Sequence, residues 1–270
     1  VFAEERQQLI SELVAERGRV SVTDLADRFS ITTETVRRDL AALESAGNLR
    51  RVHGGAVPSD RLSTREESVV ERAIQRQPEK LRIAEAALAL IPENAAGSIL
   101  IDAGSTTEAL ARLLDQRTAQ RTASSNGNAP REELVVITHA IPIAGRISGN
   151  PHIGLQILGG RVRGLTQAAV GQSTVEAASR LRPDIAFVGA NGIHATFGLS
   201  TPDPEEAAVK AAFVTSARRV VVLADSSKLD AETLVQFAAL KDVDTVITDH
   251  EPSEELSAAL AEAGVDVVIV

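Results

Sequence analysis

The sequence predicts an α/β chain in two parts: a small N-terminal winged helix-turn-helix and a larger C-terminal domain built on a parallel sheet. Three observations predict it. Three helical stretches with buried-face spacing crowd into the first 46 residues, and a basic strand pair centred on Gly54-Gly55 follows them. From Glu79 onward, near-continuous Val/Ile/Leu runs alternate with helical stretches, the pattern of a parallel sheet covered on both faces. Between the two, Pro58 to about Pro78 is polar, charged and poor in large apolar residues, which reads as a linker whose later part, Ser68 to Arg76, is open to starting a helix. The expected organisation is therefore 1–57, 58–78 and 79–270.

Length and composition fit that division. The chain has 270 residues, 44% of them apolar and 24% charged, enough for a small and a medium core. Its net charge of −9 argues against nucleic-acid binding over the whole surface but leaves room for one basic element on an acidic body. No run approaches a membrane span, so no membrane partner is expected. The start, Val1 to Arg6, lacks a basic stretch followed by an apolar one, so no signal peptide is expected. Cysteine is absent, which excludes disulfides and fits a reducing cytoplasm. Five scattered histidines show no ligand spacing, so no metal site and no cofactor are expected.

In the first part, Glu4 to Glu16 reads as a helix with Leu9, Ile10, Leu13 and Val14 as one apolar stripe, broken at Gly18. Val20-Ser21-Val22 is a short extended piece. Thr23 or Asp24 is the expected cap of a second helix, whose Leu25, Ala26 and Phe29 face inward. After the turn at Ile31-Thr32, a third helix runs from about Thr33 to Ala46, with Gly47 as its left-handed stop.

The register of that third helix carries the first functional argument. Val36, Leu40 and Leu43 share one face, so Glu34, Arg37, Arg38 and Ala41 point away from it. Arg takes guanine bidentately or holds phosphate, and Ala lets a helix approach a groove. Thr32, Thr33 and Thr35 add hydroxyls at the helix N-terminus, where backbone N–H groups favour a phosphate. Arg50, Arg51 and His53 beside Gly54-Gly55 suit a basic wing along the DNA backbone or minor groove. From Thr35 to Val57, four arginines stand against two carboxylates, in a chain that is negative overall. Two adjacent arginines alone are ordinary solvated surface. The ordered set of short helix, turn, Arg-Arg helix, glycine stop and basic hairpin is specific to helix-turn-helix readers of duplex DNA.

In the second part, Lys80 to Leu90 is the first expected helix. Strands are expected at Ser98–Asp102, Leu134–Thr138, Ile153–Leu158, Ile185–Gly189, Val220–Ala224, Thr245–Thr248 and Val265–Val270. Helices fall at Thr107–Leu114, Ile141–Ile147, Ser173–Leu181, Glu205–Ser216 and Ser253–Ala263. Arg117 to Glu133 lacks an apolar period and reads as a surface loop.

Ligands in open parallel sheets bind at the carboxyl ends of strands, so the residues there are the candidate effector site. After the first strand, Asp102, Gly104, Ser105, Thr106 and Thr107 make a Gly/hydroxyl turn into a helix, a geometry that wraps phosphate. Other strand ends and adjoining helices contribute Thr138, His139, Gly159, Gly160, Arg161, Asn191, Gly192, Glu206, Lys210, Asp225 and Lys228. Each has an ordinary reading as a turn, cap or solvated charge; what groups them is their place after strands, on one rim.

The chain resembles the DeoR family of repressors along nearly its full length. In the head the matching stretches are Ala3-Glu4-Glu5-Arg6, Leu25-Ala26, Thr35-Val36-Arg37-Arg38-Asp39-Leu40, Leu43-Glu44, Gly47 and Arg51-Val52-His53-Gly54-Gly55-Ala56. In the second part they are Lys80…Ile83-Ala84, Asp102-Ala103-Gly104-Ser105-Thr106, Leu158-Gly159-Gly160, Asp184…Phe187-Val188-Gly189-Ala190-Asn191-Gly192, Gly198-Leu199-Ser200-Thr201, Glu206-Ala207…Lys210 and Leu223-Ala224-Asp225-Ser226-Ser227-Lys228. The resemblance implies a sensor domain with the ribose-phosphate isomerase and glucosamine-phosphate deaminase fold. Within the family the chain resembles actinobacterial repressors of sugar phosphotransferase and glycolytic genes, a resemblance that implies a phosphorylated hexose as effector. Two residues depart from the family pattern. Thr32 stands where Ser is usual, and both cap a helix. His139 stands where Asn usually follows the strand threonine, which brings a titratable ring to that position.

These readings lead to a DNA-binding repressor that meets a duplex operator as a homo-oligomer, dimer or tetramer, and responds to a sugar phosphate. The competing reading is a sugar-phosphate isomerase or deaminase with an added DNA-binding domain. That chemistry needs a positioned carboxylate base. Asp102, Asp225 and Glu206 are the available candidates, and no pattern singles one out, so no catalytic residue is expected.

Overall fold

The computed structural model describes residues 3–45, 49–52, 54–58, 66–91, 97–124 and 134–270. The chain divides into two compact units, Val1–Arg65 and Glu66–Val270. No described helix is long and apolar enough to cross a membrane.

The first unit runs α1 (Ala3–Arg17), β1 (Val20–Ser21), α2 (Val22–Phe29), α3 (Thr33–Ser45), β2 (Leu49–Val52) and β3 (Gly55–Pro58). Its strands pair antiparallel in the order β1-β3-β2. Ile10, Leu13, Val14, Leu25, Val36, Leu40, Leu43 and Leu49 form its core. Leu9, expected in the stripe of α1, lies at the stripe's edge and is 39% exposed. The cap of α2 also differs from expectation. Ser21, the last residue of β1, accepts from the Asp24 backbone N–H at 3.0 Å, so the helix begins two residues before Asp24. Gly55 is required by close approach: a Cβ there would stand 2.0 Å from the Val20 carbonyl oxygen where β1 crosses β3. Gly47 and His53, read as helix stop and wing residue, lie outside the described residues.

The second unit opens with α4 (Val69–Ile74) and α5 (Gln77–Ala89). Residues 66–78 therefore fold into this unit and are not the end of a linker. Ser68 caps α4 with a reciprocal capping box to Glu71, and Glu66 is tied to Arg163, 97 residues away, at 2.6 Å. The unit then continues through β4 (Gly97–Ile101), α6 (Ser105–Ser124), β5 (Leu134–Thr138), α7 (Ile141–Ile147), β6 (Ile153–Ile157), β7 (Arg161–Arg163), β8 (Ala168–Val170) and α8 (Gln172–Ser179). It ends with β9 (Ile185–Gly189), β10 (Gly192–His194), β11 (Gly198–Thr201), α9 (Pro204–Ser216), β12 (Val220–Leu223), β13 (Val235–Ala238), β14 (Thr245–Thr248), α10 (Glu254–Glu262) and β15 (Asp266–Ile269).

Seven strands form one parallel sheet in the order β15-β14-β12-β9-β4-β5-β6. They are the seven expected from the apolar runs. The reason is visible in the packing: alternate residues of one strand enter different cores. Ile99 and Ile101 pack with α5, α6 and α7, whereas Leu100 packs with α8, α9 and α10. A strand buried on both sides has no polar face, so it reads as a continuous apolar run.

Two short antiparallel additions were not expected. β7 and β8 make a hairpin, and β10, β11 and β13 make a small separate sheet. The first part of the expected loop Arg117–Glu133 is helical, since α6 continues to Ser124, and 125–133 lie outside the described residues. Arg117 supports the extension by donating to the Leu88 and Ile91 carbonyls at 3.1 and 2.9 Å, at the end of α5.

The strand order places the site. β4 leads to β5 and β6 on one side, while β9, β12, β14 and β15 build out on the other. The chain thus reverses direction across the sheet between β4 and β9, the crevice where open α/β sheets bind ligands.

Candidate functional site

The first unit presents its cations on α3. Val36 and Leu40 are buried, which turns Arg37 and Arg38 outward, with side chains 62% and 80% exposed. Both reach toward Glu34, at 3.7 Å each. Thr32 closes the N-terminus of the helix, its hydroxyl accepting from the Thr35 N–H at 3.2 Å and lying 2.9 Å from the Thr35 hydroxyl. Thr33 is exposed beside it. Arg50 and Arg51 are adjacent on β2 and so point to opposite faces of the hairpin. Arg51 is tied back to α3, its backbone N–H and Nε each 2.8 Å from the Glu44 carboxylate. Those bonds hold Glu44 below the ordinary carboxylate range, the backbone bond first. Asp39, on the same helix, is buried and accepts from Arg6 Nε at 2.6 Å, Arg6 Nη2 at 3.1 Å and Gln7 at 3.0 Å.

In the second unit the crevice between β4 and β9 holds a buried polar group. Asp102 is fully buried at the end of β4. It accepts from the Gly189 N–H at 2.9 Å, pairs with Lys210 of α9, and lies 3.0 Å from His139 Nε2. Lys210 also donates to the Gly189 carbonyl at 2.9 Å. Burial alone would raise the Asp102 pKa, but the Lys210 charge and the His139 contact outweigh it and bring it to about 2. The group is therefore a fixed anion–cation pair, 108 residues apart in sequence.

His139 completes that group from behind. Its Nδ1 faces the Ala169 carbonyl at 2.7 Å and donates to it. Its Nε2 faces both Asp102 and the Ala103 N–H, the latter at 3.2 Å. Neither nitrogen is left for a ligand hydroxyl, and the ring packs edge-on against Phe213. His139, nominated for the effector rim, thus has both ring nitrogens engaged within the chain and positions Asp102. Thr138 is likewise engaged within the chain. It is buried, donates to the Ile101 carbonyl at 2.7 Å and accepts from the Ala140 N–H.

The turn after Asp102 behaves differently. Thr107 is buried and its hydroxyl donates to the Gly104 carbonyl at 2.9 Å. Ser105 and Thr106 open α6, and their hydroxyls make no hydrogen bond among the described residues. Two unengaged hydroxyls and the first N–H groups of a long helix thus stand next to the Asp102–Lys210 pair, an arrangement suited to an anion.

The remaining predicted residues divide among separate tasks. A Cβ on Gly160 would stand 2.1 Å from the Thr174 hydroxyl, and one on Gly192 would stand 2.4 Å from the Ala231 carbonyl. Both glycines therefore serve close packing. Gly159 has open space at its Cβ position, and its carbonyl accepts from Thr174 at 2.8 Å. Arg161 is exposed and pairs with Glu205. Asn191 accepts from the Thr201 hydroxyl at 3.1 Å. Glu206 faces away from Lys210, toward Thr166 and Arg163. Asp225 caps the turn Ser226–Lys228; burial raises its pKa, but Lys228, Ser227 and Lys80 outweigh that and hold it low.

Two groups were missed in the sequence. Lys80 is buried, bonded to the Gln75 carbonyl at 2.8 Å and to that of Arg72, and its pKa is lowered by that burial. Arg163 joins Glu66, Asp203 at 3.2 Å and Glu206 at 3.1 Å. Spacing carries no sign of contacts across so many residues. Among the described residues no group of acidic, His or Cys side chains is placed to hold a metal ion.

Comparison with known proteins agrees with this two-part architecture. Residues 6–61 match the model of the DeoR-like helix-turn-helix domain, and residues 75–250 match that of the DeoR C-terminal sensor domain. The HTH-type transcriptional regulator GlpR of Haloferax volcanii is 33% identical, over 98% of this chain and 96% of its own. The glycerol-3-phosphate regulon repressor of Escherichia coli is 28% identical, over 96% and 95%. Among solved structures, ribose 5-phosphate isomerase A of Methanocaldococcus jannaschii aligns at 20% identity and a TM-score of 0.41, covering 57% of this chain and 55% of that one. With both domain models matched in order along one chain, the protein belongs to the DeoR family of helix-turn-helix transcriptional regulators.

Proposed function

We propose that the protein is a repressor of sugar uptake and metabolism genes whose grip on DNA is controlled by a phosphorylated sugar, a hexose phosphate in particular. In this reading α3 enters the major groove with Arg37 and Arg38, Thr32, Thr33 and Thr35 engage phosphates at its N-terminus, and Arg50, Arg51 and His53 follow the backbone. The chain acts as a homo-oligomer in the cytoplasm, so that paired heads meet repeated half-sites. Sugar phosphate binds one arrangement of the oligomer better than the other and releases the operator.

One observation carries the sensing half. The open hydroxyls of Ser105 and Thr106 at the start of α6 adjoin a buried, already paired Lys210–Asp102. Helix N-terminus and hydroxyls suit a phosphate, and the ion pair and strand-end amides suit sugar hydroxyls. The Escherichia coli relative adds support, since its name joins repression to a phosphorylated compound. Turnover does not fit the same group. A general base works best with a pKa near the working pH, and Asp102 at about 2 is far from it.

The test is an operator gel-shift titrated with glucose 6-phosphate, fructose 1-phosphate, fructose 6-phosphate and the unphosphorylated sugars. The expected result is release by a phosphorylated sugar alone, without consumption of it. Ser105→Ala with Thr106→Ala is expected to abolish the response and spare operator binding. A normal response in that double variant removes the phosphate site, and turnover of the sugar replaces the sensor with an enzyme.

A further inference from the structure

We infer that Glu34 sets the base selectivity of α3. The inference rests on α3 being the reading helix. The helix carries three carboxylates, and two are occupied elsewhere. Asp39 is buried against Arg6 and Gln7, and Glu44 is held by Arg51. Glu34 alone shares the outward face with the reading arginines, its two oxygens each 3.7 Å from one of them: Oε2 from Arg37 Nη1 and Oε1 from Arg38 Nε. Its side chain is 63% exposed.

Those contacts are too exposed to matter for the fold, since water and salt screen them. Their consequence lies in binding. A carboxylate brought against a polyanion is repelled, so Glu34 weakens every contact made to phosphates alone. While the protein is off DNA or on a non-cognate stretch, it also stands as a weak, shared partner of both arginines. The major groove offers a partner that reverses this. The exocyclic amine of cytosine donates a hydrogen bond, and a carboxylate accepts it well. On a duplex with cytosine in the right place, Glu34 is satisfied by that amine and both arginines are released to guanine or phosphate. Glu34 thus lowers affinity for general DNA and restores it at one C·G pair. Its helix position suits the role. Ala41 lies two turns along the same strip of α3, so the helix presents one carboxylate, two cations and a small residue to the groove.

The test uses the full chain and a duplex selected by the wild-type protein from a random pool. Dissociation constants are measured on that duplex and on an unselected one across a salt series, for wild type, Glu34→Gln and Glu34→Ala. Both variants are expected to bind the unselected duplex up to about tenfold tighter at low salt. They are expected to gain little or nothing on the selected one, so the ratio between the two falls. Repeating the selection is expected to give a motif degenerate at one cytosine for Glu34→Ala. For Glu34→Gln that position shifts toward adenine, which an amide reads bidentately. An unchanged ratio and an unchanged motif in both variants overturn the inference. Arg37→Ala and Arg38→Ala run alongside. If these lose the selected duplex while the Glu34 variants match wild type, only the role of Glu34 falls. If they too bind as wild type, α3 is not the reader and the proposed DNA contact falls with it.

Discussion

The two units treat charge in opposite ways. On α3, Arg37 and Arg38 stand in water with one weak, shared partner. In the crevice between β4 and β9, Lys210 and Asp102 are 6% and 0% exposed and are bonded to each other and to Gly189. Under the proposed reading, the difference follows from what each surface is to meet. A duplex brings a dense row of phosphates and its own counterions, so cations that meet it gain from being free and solvated. A small metabolite brings little binding energy, so its site must be desolvated and shaped beforehand. Asp39, the one buried acid among the head's described residues, sits on the inner side of α3 and serves the fold. In the sensor the same buried group that suits a ligand also holds the sheet together.

The largest break of that comparison comes from Asp102→Ala. It leaves Lys210 buried with only the Gly189 carbonyl, and stranding one member of a buried pair costs about 3–5 kcal/mol. The chain has no Trp or Tyr, so hydrogen exchange with mass spectrometry is the suitable readout, and it assigns the loss to a segment. The second unit is expected to lose protection from β4 to α9 while α1 to α3 keep theirs. Equal loss in both units, or in neither, breaks the distinction. Arg6→Ala makes the corresponding cut in the head. It removes two charge-assisted bonds to Asp39 and is expected to cost about 2–3 kcal/mol, confined to the first unit.

Acid titration sharpens the comparison further. Asp102 goes from an ordinary 3.8 to about 2 on folding. A carboxylate with a depressed folded pKa stabilises the fold above its unfolded value, and that stability is lost as pH falls through the folded one. The second unit is therefore expected to lose about 2 kcal/mol between pH 4 and pH 2. Asp225, also held low, acts with the same sign. Glu66 acts against both. Burial, and then Glu206, raise its pKa, so its protonation relieves a strained charge. Unfolding by urea at stepped pH checks the sign, and Asp102→Asn is expected to flatten the decline.

How much of this was legible follows from which forces act locally. The five inner sheet strands showed in the sequence because burial on both faces leaves a near-continuous apolar run, and the more exposed edge strands β6 and β15 showed by their Ile, Leu and Val content. The hairpin Arg161–Val170 and the sheet of β10, β11 and β13 did not show, being short, half polar and defined by partners far along the chain. The extension of α6 was hidden because its support is Arg117 reaching across to the end of α5. In the site, Asp102, His139 and Lys210 were each nominated as members of one rim. That His139 holds Asp102 rather than a ligand depends on the Ala169 carbonyl brought over by the β7–β8 hairpin, which no spacing reveals. On α3, by contrast, the outward face was readable from the helical period alone, because nothing but the helix itself decides it.

The smallest expected effect is the most decisive for the comparison. Arg37→Ala and Arg38→Ala each remove only an exposed contact with Glu34 at 3.7 Å. Such pairs contribute a few tenths of a kcal/mol, and alanine is the better helix former. Stability of the first unit is therefore expected to stay within about 0.5 kcal/mol of wild type, measured by thermal unfolding. Under the proposed reading, each variant nonetheless weakens operator binding by about 1–3 kcal/mol. A loss of binding without a loss of stability is possible only where function rests on groups the fold does not use. In the crevice between β4 and β9 no substitution of a charged residue is expected to achieve that separation, because Lys210 and Asp102 are buried and each holds the other's charge.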